Sequence, residues 1–516
     1  VYIQAPKTFF QMKTPINHIT ACLAGMLFGA LFCAVRPAFG QVQGFTAVQG
    51  EVDFSKKIRG WDGFGFNYVE TAQAIDYPTD PQEYGGFSLL KEAERQQILQ
   101  MVFGEDGLKV GLLKMFHDPH HQKAPNGPFD HETSTQWLRY FAREGLSITR
   151  ARGADLQIIT TLYGPPPFVT QQKTMRGRDL DPGMKDALAL YMANWVKYLR
   201  DREKLPVKYL SIHNEGEDWS RWEARDTDGN IGHGHDYNMY WSPELVAEFV
   251  KKMRIELDKA GLREVEVTPG ENTNWYRWSQ WGYANALADD PQALKSLGLI
   301  TSHGFYVGGY GRWFGEHASM GTDLLREQRP ELKAWVTSTS WSQMDTRNVK
   351  EFHGNIYTAK VNGIIPWAGI QRPAQWVGGD PNPGSAFTVH EDGTFEVRRG
   401  YYFYKQLSRA GQPGMAVART SSLDSETPII AFAANGTRNP DAFVVTNMSA
   451  YNRKVAISVK GTSAKTFTAF RTTEKADHYQ HVAQERYLAI GDFSLDARGI
   501  SFYEMPAGSV TTFFAK

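Results

Sequence analysis

The sequence predicts an α/β fold: a (β/α)8 TIM barrel with an additional antiparallel β-sandwich domain. Two patterns carry this expectation. From residue 61 to about 370, short apolar or alternating segments take turns with amphipathic stretches of helical period, and eight such alternations fit a barrel. After "YYFYKQLSRAGQPG" the chain changes to closely spaced strands separated by turn signals, as a sandwich requires. With 516 residues, 41% of them hydrophobic, the chain has the apolar material for at least one large core.

Taken in order, residues 1–40 read as upstream residues and a signal peptide. Met12-Lys13 precedes the apolar run "ITACLAGMLFGALFCAV", and small residues at Ala38 and Gly40 suit a peptidase before Gln41. Both cysteines, Cys22 and Cys33, fall in this stretch. A mature chain without them has no disulfide, no thiol nucleophile and no Cys-ligated zinc. The expected location is secreted or periplasmic. Residues 41–59 are a candidate extra strand for the sandwich, 60–400 form the barrel, and 401–516 form a junction helix and the sandwich.

Strands are expected at 60–68, 110–118, 156–164, 207–215, 264–271, 299–306, 332–340 and 363–369, each rich in β-branched or aromatic residues. Helices are expected between them, for instance from Ser88, from Thr133, and from Ser242 as N-cap to Gly261 as stop. The 56 basic and 56 acidic residues balance, so no overall field draws the chain to nucleic acid. The 14 Trp and 23 Tyr point instead to surfaces that stack on flat ligands such as sugars.

Barrel sites form at the C-terminal ends of the strands, so strand-end polar residues are read functionally. Glu215 ends the fourth strand in "YLSIHNEGEDW", preceded by Asn214 and followed by Trp219. Glu217 and Asp218 lie past the strand and read as rim residues. Glu271 closes the fifth strand in "VTPGEN", and Trp275, just after it, is a candidate sugar platform.

At these residues the chain resembles retaining glycosidases of clan A, most closely glycoside hydrolase family 30. The likeness rests on "GFGFNY", the pair Asn214-Glu215, "SHGFY", "PWAG" and the junction "YYFYKQLSRAGQPGMAVA". It implies that Glu215 is the general acid/base, that Asn214 holds a sugar 2-hydroxyl, that Tyr306 faces the nucleophile and that Trp367 floors a subsite. His303, in "SHGFY", is a further substrate-binding candidate, and so is Lys114, where the family has Arg. Gly216 stands where family members usually have Pro.

The family nucleophile is a Glu on the seventh strand, and here "AWVTSTSW" puts Ser338 at that position. A serine hydroxyl with no adjacent base is a poor nucleophile at an anomeric carbon. Three readings stay open: an engineered nucleophile variant that traps substrate, an inverting enzyme with Glu271 as base, and either a slip in matching the seventh strand to the family or a catalytically silent glycan-binding protein. The sequence leans to inversion, because a shorter Ser338 leaves space for a water. The expectation is a glycoside hydrolase acting on a β-linked oligo- or polysaccharide, with no cofactor, no metal and no membrane contact after signal cleavage. "HDPHH" and "GHGHD" read as loop histidines before metal ligands, and "DTDGN" lacks the Gly and Glu of an EF-hand loop.

Overall fold

The computed structural model describes residues 48–71, 83–175, 177–218, 239–305, 317–340, 345–372, 386–474 and 483–516. The leader expected at 1–40 lies outside the described residues, as do Trp219, Tyr306, "GHGHD" and "DTDGN".

After β1 (Val48–Gly60) the barrel strands are β2 (Gly63–Asn67), β3 (Leu112–His117), β4 (Gln157–Leu162), β5 (Val207–Ser211), β6 (Glu266–Thr268), β7 (Glu271–Asn272), β8 (Leu299–Ser302), β9 (Lys333–Ser340) and β10 (Gly363–Trp367). They run parallel in the order β6-β5-β4-β3-β2-β10-β9-β8-β7. The segments β6 and β7 are halves of one fifth stave, interrupted at Pro269-Gly270. Bridges from Asn214 to Glu271 and from Val267 to Leu297 join the two ends of this order and close the barrel.

Gly270, at φ +91°, allows the interruption, and a Cβ there would lie 2.1 Å from the His213 ring. Leu112, Ile159, Tyr209, Leu299, Trp335 and Ile365 fill the barrel interior, which makes it a packed core under the site.

The helices between the strands are α1 (Glu92–Phe103), α2 (Gln136–Ala151), α3 (Lys185–Asp201), α4 (Pro243–Lys259), three short turns α5 (Trp275–Gln280), α6 (Tyr283–Ala288) and α7 (Pro291–Ser296), then α8 (Met320–Gln328) and α9 (Thr346–Tyr357). The sequence signals at α4 act as expected. The Ser242 hydroxyl accepts from the Leu245 amide, Pro243 takes the first helical position, and Gly261 follows at φ +73°. Among the described residues no helix is long and apolar enough to cross a membrane.

A small sheet of β11 (Ile370–Gln371), β12 (Phe387–Val389) and β13 (Phe395–Val397) follows β10. Helix α10 (Arg399–Ala410) then leads to β14 (Ala416–Ser422), β15 (Ile429–Ala433), β16 (Ala442–Asn447), β17 (Arg453–Lys460), β18 (Thr466–Glu474), β19 (Ala483–Ser494), β20 (Ile500–Met505) and β21 (Ser509–Ala515). These join in the ladder β19-β18-β21-β16-β15-β14-β1-β17-β20, antiparallel except where β1 runs parallel to β17. Phe493 on one edge strand meets Tyr503 on the other at 5.2 Å between ring centroids, so the sheet rolls around its own core into a near-barrel. Helix α10 joins the two domains: Tyr404 donates to the Gly65 carbonyl at 2.6 Å, and Gln406 donates to Thr472 Oγ1 at 2.9 Å.

Candidate active site

The fourth and fifth staves bring the two expected glutamates together. Beyond β5 the chain stays hydrogen-bonded to β7: the Glu271 amide donates to the His213 carbonyl at 3.0 Å, and the Glu215 amide donates to the Glu271 carbonyl at 2.8 Å. Glu215 has φ +50°, a left-handed backbone that few non-glycine residues adopt. Such local strain concentrates at functional sites.

Glu271 is 0% exposed, and both its oxygens are engaged. Oε1 accepts from Thr161 Oγ1 at 2.6 Å, while Oε2 accepts from Lys114 Nζ at 2.5 Å and lies 3.0 Å from His303 Nε2. Burial alone would raise this carboxyl, but the Lys114 ammonium and then His303 outweigh it and hold the group at about 2. Lys114 also donates to Ser338 Oγ at 2.9 Å. The same cation therefore meets the carboxylate of the fifth stave and the hydroxyl of the seventh.

His303 is the connecting piece. Its Nδ1 lies 2.6 Å from Glu215 Oε1, and its Nε2 faces Glu271. Burial alone would lower its pKa; the Glu215 carboxylate and the bonds to Glu215 and Glu271 outweigh that and raise it above the ordinary histidine value. Because Glu271 is ionised and can only accept, Nε2 must carry a proton. The Glu215 contact then holds one further proton, on Nδ1 or on the carboxyl, since without it two lone pairs would face each other. The sequence offered His303 as a substrate ligand, whereas the structure makes it the bridge between the two glutamates.

The other expected residues divide. Asn214 is buried, and its Oδ1 has no partner among the described residues. Trp367 is 8% exposed and belongs to an aromatic wall, parallel to Tyr163 at 6.1 Å and edge-on to Phe116 at 5.6 Å. Trp275 is a correction: it is 1% exposed and donates its indole N–H to Asn355 Oδ1 at 2.9 Å, so it has no face for a sugar. The α5 turn points that side of the helix into the core. Glu217 is also corrected from rim to interior, because its Oε1 accepts from the Thr273 amide at 2.8 Å and from Arg277 Nη1 at 2.9 Å.

Sequence reasoning missed Thr161 and His213 altogether. His213 is buried beside Trp241, and burial holds its pKa down at about 4. His121 of "HDPHH" faces His131, ten residues further on, with Nδ1 atoms 2.9 Å apart, but among the described residues no three such groups converge as a metal set would.

No protein-family model and no curated protein matches the chain. Solved structures do. The catalytic domain of a glycoside hydrolase family 30 xylanase C from Talaromyces cellulolyticus is similar with a TM-score of 0.66 at 16% identity, covering 91% of this chain and 100% of that one. An endo-β1,6-glucanase is similar with a TM-score of 0.63 at 18% identity, over 91% and 95%. A conserved exported protein from Bacteroides fragilis is similar with a TM-score of 0.62 at 14% identity, over 90% and 99%. The likeness is one of fold: the barrel and the second β domain together match family 30 structures.

Proposed function

We propose that this chain is a glycoside hydrolase acting on a β-linked glycan, with Glu215 as the general acid. The observation that carries the reading is the 2.6 Å contact between Glu215 Oε1 and His303 Nδ1 at the C-terminal face of the barrel, a contact that a shared proton would complete. As the bond from the anomeric carbon to the leaving oxygen breaks, that oxygen takes the proton from Glu215. The carbon bonds first to the second carboxylate and then to the oxygen of a water whose proton returns to Glu215. His303, tied to Glu271 on its other side, keeps the acid oriented and shares its proton. The unpartnered Oδ1 of Asn214 supports a hydroxyl-bearing ligand, because a buried acceptor without a donor costs about 1–3 kcal/mol. Trp367, backed by Tyr163, suits the apolar face of a sugar ring.

Glu271 is the permanent anion of the site. A general base works best with a pKa near the working pH. A carboxyl held at about 2 has little tendency to take a proton from water, which argues against the inverting scheme favoured by the sequence. It suits the second carboxylate of a retaining pair, moved from the seventh stave to the fifth, where Lys114 still connects it to Ser338. Glycan binding without turnover is the second reading. It is favoured by the three donors that occupy the Glu271 oxygens and by its complete burial.

Xylan and β1,6-glucan are the first substrates to try, since they match the names of two similar structures. A secreted or periplasmic location is in keeping with the leader-like first 40 residues and with the exported protein of similar fold. Anomer-resolved NMR on a panel of β-glycans tests the reading. A β-product, lost in Glu215→Gln, supports it, and unchanged hydrolysis in that variant overturns it. An α-product restores the inverting scheme. Binding with no product, converted to hydrolysis by Ser338→Glu, favours the silent reading.

A further inference from the structure

A cavity of about 1190 Å³ opens between α1, α2, α10 and the sheet formed by β18, β19 and β21. Its Gly104–Lys109 and Arg152 segments connect helix ends to the starts of β3 and β4, so it lies at the N-terminal face of the barrel, opposite the candidate active site. Five cations line it (Lys109, Arg152, Lys405, Arg409 and Arg438) against two acids, Glu105 and Asp106, a net charge of +3. Glu105 is already paired with Lys109 at 2.5 Å.

The other four cations have no ion-pair partner among the described residues and hydrogen-bond to main-chain carbonyls instead. Arg152 donates to Phe103 O at 3.0 Å and Val110 O at 2.9 Å, Arg438 donates to Arg152 O at 2.7 Å, Lys405 bonds Asp106 O, and Arg409 bonds Glu105 O. Carbonyl dipoles orient these groups without neutralising them. The crowding has an electrostatic signature: burial and then the Arg409 charge push Lys405 down to about 8. Half-buried aromatic rings stand beside the charges. Tyr487 stacks on Phe470 at 4.7 Å, and Lys405 Nζ lies 4.9 Å from the Tyr487 ring centre.

We infer that this cavity is a second binding site, for an oligosaccharide whose rings carry sulfate or carboxylate groups. The cations supply paired donors for the anionic substituents, and the Tyr487 and Phe514 rings supply apolar contact for the sugar. The volume exceeds what a single small anion needs, since pockets for drug-sized ligands span roughly 300–1,000 Å³. None of these residues belongs to the candidate active site, so the inference stands apart from the hydrolytic reading.

Titration calorimetry of the full chain tests it with four probes: a sulfated oligosaccharide, an oligogalacturonide, a neutral xylo-oligosaccharide and sodium sulfate. At least one charged oligosaccharide should bind and weaken as salt rises, and comparing the two identifies the anionic group. Lys405→Gln and Arg409→Gln should each lower that affinity about tenfold, by loss of a charge-assisted contact. Glu105→Gln should tighten it several-fold, a gain that misfolding does not produce. Absence of binding by both charged oligosaccharides overturns the inference. So does equal binding of the neutral one, insensitivity to all three substitutions, or sulfate alone binding as tightly as the oligosaccharide.

Discussion

His303 Nδ1 lies 2.6 Å from Glu215 Oε1, and the opposite nitrogen of the same ring lies 3.0 Å from Glu271. The two carboxylates of the site are therefore one imidazole apart, and their protonation states are tied together. A change at either glutamate should be felt at the histidine.

On the proposed reading, Glu215→Gln removes the general acid while keeping the side-chain shape. Turnover of substrates with poor leaving groups should fall by about 10²–10⁴-fold. Activated aryl glycosides should be affected less in the bond-breaking step. The His303 pKa, followed by NMR, should fall as well, because the Glu215 charge is what chiefly raises it.

Lys114→Gln leaves the Glu271 carboxylate buried without its cation. Breaking a buried pair from one side costs about 3–5 kcal/mol, so the midpoint of chemical denaturation should drop clearly. Lys114→Gln combined with Glu271→Gln should recover part of that loss. A double variant as unstable as the single one would argue that Lys114 acts mainly through Ser338.

Stability should decline on acidification in two stages. Burial holds His131, His213, His317 and His353 at about 4, below the ordinary histidine value of 6.5, so the fold binds fewer protons than the unfolded chain. Their contribution is complete above pH 6.5 and is lost as pH falls towards 4. Glu271, held at about 2 against 4.5, adds a contribution that is lost between pH 4.5 and 2. Calorimetric unfolding at pH 5 in buffers of different ionisation enthalpy should show proton uptake.

On the proposed reading, Trp367→Ala should raise KM about tenfold with a smaller change in kcat, because the ring would bind the sugar rather than reach the breaking bond. Steady-state kinetics on an oligosaccharide series separates the two effects.

Much of this was legible in the sequence, for local reasons. Alternation running into Asn214-Glu215 and the segment "VTPGEN" pointed to neighbouring staves, and the structure does bring the two glutamates together there, with β5 ending at Ser211 and Glu271 opening β7. Trp275 misled because its place just after Glu271 suggested a ligand-facing side, whereas the short α5 turn directs the indole into the core. Glu217 looked like a loop acid because its partner Arg277 lies 60 residues away in sequence. The bridging role of His303 was hidden for the same reason: its partners are 88 and 32 residues distant, and only barrel closure brings them together. The second, mostly antiparallel β domain was legible from its closely spaced strands; only its rolling into a near-barrel was not, because strand spacing does not reveal whether a sheet folds into two layers or closes on itself.

The place of β1 in the ladder sets an order on assembly. This strand precedes every barrel element, yet it lies between β14 and β17, and Glu51 pairs with Arg419 and Lys460 across 368 and 409 residues. On a ribosome it emerges early and waits, with both edges unpaired, until nearly the whole chain has been made. Loop closure over that separation is slow, and a waiting edge strand is open to wrong partners. Once seated, β1 ties the segment before the barrel to the β domain after it, so unfolding that begins in either domain must break the same clasp.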